Sequence, residues 1–70
     1  MRASVSRIKP LRLVAGVFEV HWREGRRHRR VLVAPADPAR PTPGEVVDAV
    51  RSAYPEGCRP PVVIADRAWP

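Results

Sequence analysis

One cysteine, Cys58, is present in the whole chain, so no disulfide can close within it. The only histidines are His21 and His28, and no Cys/His spacing suits structural zinc. Gly16, Gly25, Gly44 and Gly57 are isolated from one another, which excludes a glycine-rich phosphate loop. Ser4, Ser6 and Ser52 lie outside any nucleophile-elbow context, and no two carboxylates have the spacing of a two-metal or glycosidase site. There is no run of about 18 apolar residues to span a membrane. The charged N-terminus also lacks the apolar stretch and small-residue cleavage site of a secretory signal. A non-enzymatic protein without cofactor or metal is therefore expected. The lone cysteine favours a reducing, cytoplasmic setting.

What the chain has in excess is positive charge, and it is one-sided. Residues 1–30 hold nine basic and two acidic side chains, a net +7, whereas residues 31–70 hold four and five, a net −1. Five arginines, Arg23, Arg26, Arg27, Arg29 and Arg30, fall within eight consecutive positions. Such asymmetry marks attraction to a polyanion. Two plainer causes compete with it. Arginine, alanine, proline and valine are also what GC-rich coding favours, and charge on an edge strand guards against edge-to-edge aggregation.

Seventy residues form one small domain, burying only about 60% of the surface the unfolded chain exposes. Backbone entropy of roughly 1–2 kcal/mol per residue nearly cancels what so small a core supplies. Self-association or a partner protein is expected to help.

The alternation of Phe18, Val20 and Trp22 with Glu19, His21 and Arg23 predicts a strand over Leu11–Arg23, with Gly16 at a bulge. Arg26–Ala34 reads as its hairpin partner. A two-residue Glu24-Gly25 loop would pair Phe18 with Val31, Glu19 with Arg30, Val20 with Arg29 and His21 with His28. A three-residue loop with a left-handed Gly25 bulge is the alternative. Thr42-Pro43-Gly44-Glu45 carries a capping box and opens a helix over residues 43–54, with Val46, Val47, Val50, Ala53 and Tyr54 on its apolar side. Pro55 stops it. Val62-Val63-Ile64-Ala65 has no alternation, as in a strand covered on both faces.

The expected fold is α+β in the order β-β-α-β. A three-stranded, mainly antiparallel sheet would carry one helix on one face over residues 11–70, with the last strand beside the first. Residues 1–10 are expected to form a flexible basic N-terminal arm. The aromatic strand, glycine turn, arginine-rich return strand and following helix, residues 18–54, are similar to the arm-DNA-binding domains of phage-type integrases. The strand after the helix departs from that pattern, and no functional residue is carried over.

Two functions follow as expectations. The first is nucleic-acid binding, DNA or RNA, with Arg23, Arg26, Arg27, Arg29 and Arg30 on phosphates or base edges. His21, His28 and Trp22 would assist, and Arg2, Arg7 and Lys9 would contribute through the arm. Trp22 as a base-stacking residue competes with Trp22 as a cap on the core. The second is a protein-interaction module, a small regulator, inhibitor or assembly subunit, using the basic edge against an acidic surface and Trp69 as an anchor. His21 and His28 among arginines also admit a ribonuclease-like acid–base pair as a minor alternative. Cys58 follows the helix C-terminus, where the dipole disfavours a thiolate, and is expected to be inert.

Overall fold

The computed structural model describes residues 1–70. Its first strand is the segment expected to be a flexible arm. β1 spans Ala3–Pro10, and Ala3, Val5 and Ile8 are all essentially buried. The spacing from Val5 to Ile8 breaks a period of two because Ser6 is the extra residue of a bulge: Val5 pairs with Trp22 and Arg7 with His21. The bulge returns Ile8 to the face of Ala3 and Val5, and it also disguises the strand in the sequence.

β2 runs only from Phe18 to Glu24. The preceding residues 11–17, expected to be part of it, form a loop closed by the Leu11 N–H on the Val17 carbonyl at 2.8 Å. Leu-Arg-Leu alternates as a strand would, yet Leu13 is 95% exposed and meets no apolar surface. Gly16 adopts φ +80° at the close of this loop, where a Cβ would lie 3.3 Å from the Pro38 Cβ.

β3 spans Arg27–Val33 and pairs antiparallel with β2, placing Glu24 opposite Arg27, Trp22 opposite Arg29, His21 opposite Arg30 and Phe18 opposite Val33. The turn is Gly25-Arg26 and not Glu24-Gly25. A tight hairpin turn with glycine first needs positive φ at that residue alone, and Gly25 has φ +60°. A turn with glycine second would force Glu24 into the left-handed region. Sliding the turn by one residue shifts every cross-strand partner by two, so each side chain keeps its expected face.

α1, Pro43–Ser52, begins with the predicted capping box. The Glu45 N–H donates to Thr42 Oγ1 at 3.2 Å and the Thr42 N–H donates to Glu45 Oε1 at 2.8 Å. The other carboxylate oxygen of Glu45 accepts from the Ala36 N–H at 2.8 Å, which ties the proline-rich connection to the helix start. Val46 and Val50, with Tyr54 just beyond the last turn, press onto the sheet.

β4, Val62–Ile64, pairs parallel with β1, through Ala3–Val62, Ser4–Val63 and Val5–Ile64. The sheet therefore has four strands in the order β3-β2-β1-β4 and is mixed. The last strand lies across the sheet from β3, as expected, but beside β1. It is a three-residue edge and not an interior strand, with Val63 46% exposed. A short 3₁₀ turn, Asp66–Ala68, follows and buries Ala68. The resulting α+β domain has its core between one sheet face and α1. That core comprises Ala3, Val5, Ile8, Phe18, Val20, Trp22, Val46, Val50, Tyr54 and Ala68. No helix is long and apolar enough to cross a membrane.

Candidate nucleic-acid interface

Helix α1 covers one face of the sheet and leaves the other open. Strand pairing lays the open face out in rows: Ser4, Arg23 and His28; then Arg7, His21 and Arg30; then Lys9, Glu19 and Leu32. Arg7, Arg23, His28 and Arg30 are exposed. Arg7 and Lys9 thus sit on a sheet strand and not on an arm. Recognising them in the sequence would have required seeing Ala3, Val5 and Ile8 as one face across a bulge. Beside Lys9, the loop after β1 adds Arg12, and the cleft between them is lined by Arg7, Lys9, Arg12 and Glu19 together with Leu11 and Leu13.

One carboxylate organises the centre of this face. Glu19 is 8% exposed and accepts from Arg30 Nη1 at 2.9 Å, with Lys9 Nζ at 3.9 Å and His21 Nε2 at 3.3 Å. Burial works to raise its pKa. The charges of Lys9, Arg30 and His21 and the Arg30 hydrogen bond outweigh that, so Glu19 stays below the usual carboxylate range. His21 reaches His28 on its other side, Nδ1 to Nε2 at 3.1 Å, with the rings within 18° of parallel and centroids 5.1 Å apart. The two are diagonal neighbours, since His21 faces Arg30 and His28 faces Arg23. Burial lowers the His21 pKa, the charges of His28 and Lys9 add to this, and Glu19 opposes it.

The arginine cluster is divided by the sheet. Arg23 and Arg30 lie on the open face, Arg26 is in the exposed turn, and Arg27 and Arg29 alternate onto the helix side. Arg27 remains exposed there. Arg29 does not: it donates to Glu24 Oε1 at 3.1 Å and to the Ala53 carbonyl at 3.4 Å, with its guanidinium 4.7 Å from the Tyr54 ring and 5.6 Å from the Trp22 ring. It closes the end of the core and the C-terminus of α1. The Glu24 hydrogen bond, the largest influence, raises the Arg29 pKa.

Trp22 is fully buried and offers no ring to a nucleobase. Its indole N–H donates to the Tyr54 hydroxyl at 2.9 Å, and that hydroxyl donates to Glu24 Oε1 at 2.6 Å. Trp69 is half-buried against the core, with the Arg40 guanidinium 5.0 Å from its ring. Cys58 is exposed. No protein-family model, no curated protein and no solved structure matches this chain.

Proposed function

We propose that this domain binds the phosphate backbone of a nucleic acid through the open face of its sheet and the adjoining hairpin tip. The observation that carries the reading is the gathering of Arg7, Lys9, Arg23 and Arg30 on one uncovered face, whose single carboxylate, Glu19, engages only Lys9 and Arg30 of the four. Arg26 and Arg27 extend the positive field beyond the end of β2 and β3. Guanidinium groups suit phosphate because their planar fork meets two oxygens at once. Arg29 and Trp22 support the surface from behind, through contacts inside the domain.

Binding of this kind releases condensed counterions. With about five phosphates engaged by duplex DNA, the log of affinity should fall against log salt with a slope near −4 to −5, since each phosphate contributes roughly −0.9. Replacing Arg7, Arg23, Arg26 and Arg27 together with Gln should flatten the slope and remove binding. Replacing Arg51 and Arg59, away from this face, should leave it nearly unchanged. The test is fluorescence anisotropy with mixed-sequence duplex and single-stranded probes at two salt concentrations. Absence of binding to every probe at about 50 mM salt would defeat the reading.

A second reading rests on a different observation. β3 pairs only with β2, so its outer backbone edge is free along Arg27–Val33. An acidic, extended protein segment could add there as a further strand, and this becomes the leading function if nucleic acid is not bound.

A further inference from the structure

The same face holds an arrangement that phosphate binding does not use. His21 Nδ1 and His28 Nε2 are 3.1 Å apart on adjacent strands. Two nitrogens each about 2.0–2.1 Å from a shared ion stand about 2.9 Å apart at a right angle and about 3.4 Å apart at the tetrahedral angle. The observed separation falls between these values, so the imidazoles already have the spacing of neighbouring ligands.

Glu19 supplies the second element. Its Oε1 is 3.3 Å from His21 Nε2, which is buried and makes no well-aligned hydrogen bond. A carboxylate at that distance favours the proton on Nε2 and leaves the Nδ1 lone pair directed toward His28. A ligating histidine whose far nitrogen faces a carboxylate is the usual outer-shell pattern of metal sites, where it fixes both tautomer and ring orientation.

We propose that His21 Nδ1 and His28 Nε2 form a two-histidine site for a borderline divalent transition ion such as Zn²⁺, Ni²⁺ or Cu²⁺, with Glu19 as the positioning residue. In the apo protein the His28 Nε2–H donates to His21 Nδ1; ion binding replaces that hydrogen bond and the proton moves to His28 Nδ1, so both rings stay neutral and none is released. No group of three or more His, Cys, Asp or Glu side chains is placed to hold an ion, so water completes the coordination. The neighbouring cations set the affinity. Arg30 and Lys9 are paired with Glu19, whereas Arg7 on β1 and Arg23 on β2 are exposed beside the histidines and oppose a dication. Their repulsion weakens as salt rises, so ion affinity should increase with ionic strength, opposite to nucleic-acid affinity.

The test is titration of the full chain with ZnCl₂ at a pH where imidazoles are neutral, following the ring C–H signals of both histidines by NMR and the stoichiometry by calorimetry. Both rings should shift together and saturate at one ion per chain. His28→Ala, a change at an exposed position, should weaken binding at least 10-fold, the scale on which even outer-shell partners act. Glu19→Gln should weaken it about 10-fold, and Cys58→Ser should not alter it. Unchanged affinity in His28→Ala, or no coupled shift of the two rings at a large excess of ion, would overturn the proposal. The result is independent of whether nucleic acid binds.

Discussion

The Trp22 indole N–H donates to the Tyr54 hydroxyl at 2.9 Å, and this buried bond joins β2 to the end of α1. The hydroxyl in turn donates to Glu24, which also holds Arg29. One tryptophan, one tyrosine and one ion pair thus close the end of the core nearest the hairpin tip. Tyr54→Phe leaves the indole donor buried without an acceptor. It should destabilise the domain by about 1–3 kcal/mol, read as a lower urea midpoint with an unchanged slope.

Arg29 and Arg27 are two residues apart on the same strand and face the same side, yet they should behave differently. Arg29→Gln breaks the contacts to Glu24 and the Ala53 carbonyl and should lower the urea midpoint. Arg27→Gln, at an exposed position, should leave stability within about 0.5 kcal/mol and act on anion binding. Equal midpoints for the two variants would refute this division of the cluster.

Deleting residues 1–10 separates the observed fold from a flexible-arm arrangement. Those residues contain β1, the only partner of β4 and the central bridge to β2. The truncated chain should lose cooperative unfolding and its dispersed amide spectrum. Retention of both would show that the strand is dispensable.

Acid should destabilise the domain in two stages. Glu19, Glu24 and Glu45 all titrate below the ordinary 4.5 when folded. For Glu19 the attraction of Lys9 and Arg30 outweighs burial. For Glu24 the causes are hydrogen bonds from Tyr54 and Arg29, and for Glu45 they are the backbone N–H groups of Thr42 and Ala36. His21 titrates below 6.5, chiefly through burial. All four bind a proton more tightly in the unfolded chain. Their stabilisation is therefore complete above the unfolded values and declines as pH falls toward the folded ones. The urea midpoint should begin to fall below about pH 6.5 and fall further below about 4.5. His21→Gln should remove the upper stage only.

Thr42→Ala tests the helix start. The Thr42 hydroxyl accepts the Glu45 N–H, and its loss should cost about 1 kcal/mol. Thermal or urea unfolding of the full chain measures it directly.

Where the information was local, the residues themselves were enough. The capping box at Thr42 and Glu45 needs only a hydroxyl, a carboxylate and a spacing of three. That the chain reverses near Gly25 needs only the one residue type that accepts positive φ, although the turn is Gly25-Arg26 where the sequence suggested Glu24-Gly25, and the faces of β2 follow from strict alternation. Strand β1 was hidden because a bulge at Ser6 breaks that alternation, and its apolar residues become a face only when β2 and β4 lie on either side. The arginine run shows a charge density, but which guanidiniums face solvent depends on strand parity and on where α1 lies. Tertiary packing drew Arg29 and Trp22 inward, beneath Tyr54, and left Arg7, Arg23 and Arg30 outside. It also joined His21 to His28 diagonally, because pairing across strands depends on the turn that sets the register. Local chemistry chose the elements of this protein, and the sheet's register and the helix's placement decided which side chains share a surface.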